Sequence, residues 1–391
     1  MERTDILYKD SLKNILALIE NSQVKMVMAA NSQLLWAYWQ IGNELNARIG
    51  NQKWGSKVIT KLSSDIRSHF PAVKGFSERN LQYMRQYAEA YPPDCILGLN
   101  LVWDQVRASA QPPVALIQEI ERDGLPIAQP PVAQLEESGF LDSILAKISW
   151  SHHLILLDKC QGLGKRFWYM LNTLEHGISK NILRMQLESG LFERQVEQKK
   201  ITNFSATLPK AQSDFANYLL KDPYIFDFVE AKESADERNI EAQLTQHITK
   251  FLLELGQGFA YVGKQVPLKV GGNTYYTDLL FYHIRLRCYV VVELKARAFE
   301  PGDPAQLNFY LNVINDQMKN DQDQPSIGIL LCRGKNEIVA EYALQGYTAA
   351  IGVADYQLSK AIPTDLSSTL PSIAELENEL QNLNDSTDAS S

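Results

Sequence analysis

The sequence predicts a multidomain chain: a helical N-terminal region followed by an α/β domain whose mixed sheet is flanked by helices on both faces. Three observations predict it. Apolar residues recur at three- and four-residue spacing through most of the first 200 residues. Three strand-like runs follow between 259 and 295, joined by short turns, as in an antiparallel meander. From Asp303 onward a helix and a strand alternate twice. A chain of 391 residues, 45% hydrophobic and 21% charged, is long enough for two or three separate cores.

Residues 1–91 read as helices almost throughout, in "ILYKDSLKNILALIE" and "VMAANSQLLWAYWQIGNEL". "WGSKVITKLSSDIRSHFPAVKGFSERNLQYMRQYAEAY" gives two more around a "FPAVKG" break, with Ser77 placed to cap the second. Residues 92–142 change character. Prolines cluster there and "QPPVA" occurs at 111 and again at 129, which reads as a linker or loose insertion. Helical spacing resumes over 143–200, completing the N-terminal domain. There "LEHGIS" joins two helices through Gly177, with Ser179 as the next cap. Such a pair is compatible with a DNA-binding helix-turn-helix and equally with a hairpin packed for stability alone. Arg79, Gln82, Arg85 and Gln86 share the polar side of one helix, and Lys180 and Arg184 lie on another. These side chains can reach phosphates or base edges, and they also populate ordinary solvated faces.

Residues 201–238 read as a connector and 239–360 as the α/β domain. "NIEAQLTQHITKFLLELGQG" is a helix with Leu244, Ile248, Leu252 and Leu255 on one face, ended by Gly256. "FAYVGKQVPLKV", "YYTDLLFYH" and "CYVVVELK" are strands, separated by a "GGN" turn and by "IRLR". A helix from Asp303, the strand "IGILLC", the helix "NEIVAEYAL" and the strand "YTAAIGVADY" complete it. The tail, 361–391, reads as a short helix, "SIAELENELQNLN", and a disordered acidic end.

Several function classes are excluded or narrowed. A net charge of −8 argues against a nucleic-acid binder that works by bulk positive charge. The tail, however, holds six carboxylates and no Lys or Arg, so residues 1–360 carry only −2, and a local basic groove remains compatible. No window approaches the roughly eighteen apolar residues of a membrane span, and the start, "MERTDILYKDSLKN", lacks an apolar signal core, so a cytoplasmic protein with no membrane partner is expected. Cys95, Cys160, Cys288 and Cys332 are scattered, which suggests neither structural zinc nor disulfides. The neighbours His152 and His153 point apart on a helix and read as packing residues, and no phosphate-binding P-loop is present.

The chemistry concentrates in "YYTDLLFYHIRLRCYVVVELKARAF", residues 275–299, where charges stand inside apolar strands. Glu293 and Lys295 are two apart on a strand and project from one face; Asp278 on the preceding strand can come close to Glu293. An E-x-K triplet arises by chance, and a strand Asp is often satisfied by backbone. In this order and context, though, two adjacent carboxylates repel unless a cation lies between them. A hard divalent ion such as Mg²⁺ fits, because it takes oxygen ligands and keeps several waters. Lys295 beside a bound water can orient it, help deprotonate it, or balance charge in the transition state. That combination describes a phosphodiester hydrolase.

The arrangement of Asp278, Glu293, Leu294 and Lys295 resembles the PD-(D/E)XK nuclease motif. "FLLELGQGFAYVGKQ", "TDLLFYHIRLRCYVVVELKARAFEPGDPAQLNFYLNVIND" and "PSIGILLCRG" are similar to the bacterial YhcG family, as are "WGSKVITKLSSDIRSHFPAVKGFSERNLQYMRQY", "SWSHHLILLDK" and "KDPYIFDF" nearer the start. The resemblance implies a restriction-endonuclease-like α/β/α core, a cut in nucleic acid that depends on Mg²⁺ (or Mn²⁺), and a DNA-binding role for the N-terminal part. It assigns Asp278 and Glu293 as metal ligands, the Leu294 carbonyl as a backbone ligand, and Lys295 as the catalytic lysine. Thr277 stands where the motif has Pro, a loss the superfamily tolerates. Related branches carry Q-x-x-x-Y on the next helix, matched by Gln306 and Tyr310, although Asp303, Pro304 and Gln306 also fit a helix-capping arrangement. Many members place a metal-supporting Glu on the first helix; Glu241 stands there, and it could equally pair at a helix N-terminus. Lys264, Lys269, Arg285, Arg287 and Arg297 cluster in sequence around the hairpin, as the lining of a phosphate-binding cleft or as a solvated rim, with Arg297 favoured for the cleft. The leading reading is a DNA endonuclease, and the alternative an inactive nucleic-acid-binding or assembly protein on the same fold. These residues do not separate DNA from RNA, and a homodimer would let two sites cut two strands.

Overall fold

The structure, a computed structural model, describes residues 25–48, 57–71, 74–108, 114–125, 135–229 and 236–358. The expected helices at 6–20 and in the tail, and the second "QPPVA", lie outside the described residues. The chain divides into two compact units, Met1–Arg184 and Met185–Ser391. Among the described residues no helix is long and apolar enough to cross a membrane.

The first unit is helical. A helix over 25–48 (α1) is followed by α2 (Lys57–His69), α3 (Glu78–Ala90), α4 (Pro93–Ala108), α5 (Val114–Asp123), α6 (Glu137–Asp142), α7 (Trp150–Lys159) and α8 (Leu163–His176), and α9 (Lys180–Glu188) runs across the boundary at Arg184. Ser77 caps α3, its Oγ accepting from Asn80 N at 3.3 Å. α1 and α3 cross so closely that a Cβ on Gly42 would meet the Met84 carbonyl. His153 is buried against Tyr87, with Nε2 2.8 Å from the Leu145 carbonyl oxygen, and burial pushes its imidazole down to about 4. It is a packing residue, as expected. Gly177 takes the left-handed conformation between α8 and α9, and Ile182 N donates to Ser179 Oγ at 3.4 Å, so the tight helix pair forms as its turn residues predict.

The described parts of 92–142 are helical and packed, not a linker. α4, α5 and α6 bury Ile96, Leu99, Val102, Ile117, Ile120 and Phe140, and the Phe140 ring lies 5.2 Å from Trp36. Pro93 opens α4, where a missing N–H costs nothing, so a residue that suggested irregular chain marks a helix start instead.

The second unit contains β1 (Ile201–Thr202), α10 (Phe204–Thr207), α11 (Lys210–Leu219), β2 (Tyr224–Ile225), α12 (Glu237–Gln246), α13 (Ile248–Leu255), β3 (Phe259–Val270), β4 (Asn273–His283), β5 (Cys288–Ala298), α14 (Asp303–Gln317), β6 (Ile327–Gly334), α15 (Glu337–Leu344) and β7 (Ala350–Gln357). The described sheet has seven strands in the order β1-β7-β6-β5-β4-β3, with β2 paired to β7. β3, β4 and β5 run antiparallel, and β5, β6 and β7 parallel, so the mixed sheet is as predicted. The stretch taken as a connector, 201–238, belongs to this unit instead. It supplies two strands on β7 and buries Phe204, Leu220, Tyr224 and Phe226. Two-residue strands are too short to show alternation.

Helices cover both faces. Ile240, Leu244 and Phe251 pack with Val290, Val292 and Leu294 on one side; Leu307, Leu311 and Ile314 pack with Val291, Leu330 and Val353 on the other. The "GGN" turn is a two-residue hairpin loop, Gly271 and Gly272 both having positive φ between the paired Val270 and Asn273. The helix expected across 239–255 breaks at His247, whose ring meets Phe228.

The register leaves a gap in the sheet between β4 and β5. The last pair of the β4–β5 ladder is Leu279↔Val292, whereas β3–β4 continues to Val270↔Asn273 and β5–β6 to Ala298↔Gly334. Beyond that pair β4 and β5 part.

Candidate active site

Asp278 and Glu293 are the first residues past the point of parting, one on each strand. The Leu294 N–H faces the gap and donates to Asp278 Oδ2 at 2.9 Å. A strand residue presents its N–H and C=O to the same side, so the Leu294 carbonyl faces the gap as well. Glu293 is 2% exposed. Its Oε1 lies 3.1 Å from Lys295 Nζ, and its Oε2 is buried with no hydrogen-bond partner. Lys295 Nζ also donates to Gln306 Oε1 at 3.4 Å, and Gln306 Nε2 donates to Tyr310 Oη at 2.8 Å. Gln306 is therefore turned to the lysine, not to a cap. Asp303, already within α14, accepts from Glu300 N and pairs with Arg297.

Glu241 reaches the same place from α12. It is buried, and its Oε2 accepts from Gln265 Nε2 at 2.7 Å; the same amide lies 3.5 Å from Asp278 Oδ1. Glu237, one turn earlier on α12, accepts from Ala296 N at 3.3 Å. Gln265 and Glu237 escaped the sequence reading. The i, i+4 spacing of Glu237 and Glu241 was a usable signal; Gln265 carries none, because only the β3–β4 register sets it beside Asp278. Its φ of 47° is a strained left-handed conformation inside a strand, of the kind that persists where surroundings over-determine it.

The electrostatics follow from crowding. Burial, then the Asp278 carboxylate, pushes Glu293 up to about 8. Burial also raises Asp278, against the hydrogen bond from Leu294, and raises Glu241. Burial works against the Lys295 ammonium, yet Glu293, Glu237 and Asp278 together raise its pKa, so it stays charged. Three carboxylates, Glu293, Glu237 and Asp278, thus act on one ammonium, and the Glu293 Oε2 is buried with no partner. Such a set of hard oxygen donors fits a divalent cation such as Mg²⁺. Among the described residues no group of three or more His, Cys, Asp or Glu forms a ready cage.

The basic residues do not gather as expected. Arg297 is committed to Asp303 at 2.6 and 3.0 Å and to Glu300 at 3.2 Å. Arg285 lies over the Phe215 ring and Arg287 bonds Gln322, both in the β4–β5 turn, about 20 Å along the strand from Asp278. Sequence proximity misled because the hairpin carries its turn away from the site. Lys264, exposed on β3 opposite Leu279, is near Glu241. In the N-terminal unit Arg79 is exposed and lies over Tyr83, while Arg85 is held against Asn46 of α1 at 3.2 Å.

A strand-borne Asp and E-x-K with a supporting Glu, on a mixed sheet between helical layers, define a nuclease domain of the PD-(D/E)XK class. Residues 217–371 match the YhcG PDDEXK nuclease domain, and residues 14–108 and 132–194 match the DUF1016 N-terminal domain. The two matches lie in tandem and together span most of the chain. The chain is 27% identical over 365 residues, 91% of this chain and 92% of the relative, to a protein of Escherichia coli (strain K12) named "Putative nuclease YhcG". No solved structure matches it.

Proposed function

We propose that this chain is a divalent-cation-dependent DNA endonuclease whose helical N-terminal unit binds DNA and delivers the nuclease domain to it. The observation that carries the reading is the unpartnered, buried Glu293 Oε2 beside Asp278, with the Lys295 ammonium 3.1 Å from the other carboxylate oxygen. Asp278, Glu293 and the Leu294 carbonyl would hold Mg²⁺ or Mn²⁺, with Glu241 in support. When bound, the ion polarises the phosphodiester and lowers the pKa of water. Lys295 orients the attacking water and offsets the negative charge that develops on the phosphoryl oxygens. Gln306 steadies the lysine through Nζ, and Tyr310 steadies Gln306, so the ammonium is positioned before substrate arrives. Water adds to phosphorus, the ester P–O bond breaks, and the departing oxygen takes up a proton.

A gel assay on supercoiled and branched DNA, with and without Mg²⁺, tests this. Cleavage should require the ion and disappear in Lys295→Ala; a variant that cuts like the parent removes the mechanism. Calorimetry separates an enzyme from a nuclease fold that binds without turnover, since only the former needs Mg²⁺ binding that depends on Asp278 and Glu293. Parallel reactions on single-stranded RNA decide between the two polymers.

A further inference from the structure

Beyond the Leu279–Val292 pair, β3 and β4 leave the sheet as a two-stranded arm that ends at the Gly271–Gly272 turn. One face of the arm is anchored. Leu268 is buried with Val266 and Val270 against α14, the Tyr275 ring lies 4.8 Å from Phe309, and Gln317 Nε2 donates to the Lys269 carbonyl at 3.0 Å. The other face is open. Outward from Gln265, whose amide lies 3.5 Å from Asp278, it carries the cross-strand pairs Pro267–Tyr276 and Lys269–Thr274, and Tyr276 is 50% exposed. Residues 257–277 contain Lys264 and Lys269 and no acidic residue, in a chain whose net charge is −8.

Resting on the nuclease reading above, we propose that this open face is a platform for an unpaired nucleic-acid strand: Tyr276 stacks a base beside the scissile phosphate and Lys269 meets the next phosphate along. Tyr276 stands two residues before Asp278 on β4, about 7 Å along the strand, and the Lys269–Thr274 pair lies about 7 Å further on. Carboxylate, ring and ammonium thus follow one another at intervals that each admit one nucleotide. A tyrosine ring stacks any base, so the platform is sequence-tolerant, but it needs a base whose face is free, and in a duplex those faces are already stacked. The substrate class is therefore an overhang, a fork or a single strand. An added protein strand is disfavoured at this edge: Pro267 on β3 lacks the backbone donor that such a strand would bond. The apolar anchorage to α14 keeps the platform from having to order on binding, which favours affinity.

Fluorescence anisotropy with a labelled oligodeoxynucleotide in EDTA, so that no turnover occurs, tests the proposal on the full chain. Three probes are used: a single strand, a duplex with an overhang and a blunt duplex. Tyr276→Ala should weaken the single strand and the overhang about fivefold or more while leaving the blunt duplex unchanged; Tyr276→Phe, which keeps the ring, should bind as the parent does. Lys269→Ala should lower the salt dependence of overhang binding by about one charge. Tyr276 is half exposed, so the thermal midpoint should not move. Overhang binding unaffected by Tyr276→Ala, or an equal loss on all three probes, overturns the platform while leaving the nuclease reading intact. A parent protein that binds none of the probes overturns both.

Discussion

Glu293→Gln should make the cation-free protein more stable while abolishing its activity. The parent carboxyl has an ordinary value of 4.5, and in the fold it is pushed up to about 8 by burial and by Asp278. A carboxyl whose folded pKa exceeds its unfolded one holds its proton more tightly in the fold. Its contribution is therefore fully present below the unfolded value and is lost as pH rises through the folded value. At about 1.4 kcal/mol for each unit of pH between those two points, the parent loses about 5 kcal/mol relative to a neutral side chain. Glutamine is that neutral side chain, with the same volume and an oxygen still able to accept from Lys295. Urea denaturation in EDTA should give nearly equal stabilities for parent and variant at about pH 5, with the variant ahead by about 5 kcal/mol at about pH 8.5. Adding Mg²⁺ at the higher pH should stabilise the parent and leave the variant almost unmoved, because an ion that binds only the folded parent shifts only its equilibrium. Parallel pH profiles would refute the reasoning, since they would mean that the Glu293 carboxylate is not confined against Asp278.

Gln265→Ala removes the amide that spans Glu241 and Asp278 at 2.7 and 3.5 Å, and should weaken Mg²⁺ binding about tenfold by calorimetry; an unchanged affinity would make the bridge incidental. Leu99→Ala, in the middle of α4, deletes a fully buried side chain and should cost about 2–5 kcal/mol in urea unfolding of the N-terminal unit, a loss no linker residue would show.

The β3–β4–β5 meander was legible because its strands are long and its turn residues have one conformational use. Gly271 and Gly272 specify a two-residue hairpin, and apolar alternation through Val290–Leu294 assigns faces to each side chain. The same alternation put Glu293 and Lys295 together, and their chemistry could be argued before any coordinate was known. Where signals are weak or ambiguous the reading failed. Pro93 opens a buried helix instead of breaking one, and the strands at Ile201–Thr202 and Tyr224–Ile225 are too short to carry a period.

Periodicity, turn chemistry and the oddity of charges within apolar strands are properties of neighbouring residues, so the order of elements from α12 to β7 and the candidate trio Asp278, Glu293 and Lys295 were determined by the sequence itself. Convergence is not such a property. That Glu241 and Gln265 reach Asp278, that Glu237 lies over Ala296, that Arg285 and Arg287 are carried away and that Arg297 is taken by Asp303 all depend on where β4 and β5 part and how α12 crosses them. Only the tertiary structure decided these, because strand register and helix packing bring together residues with no local sequence relation.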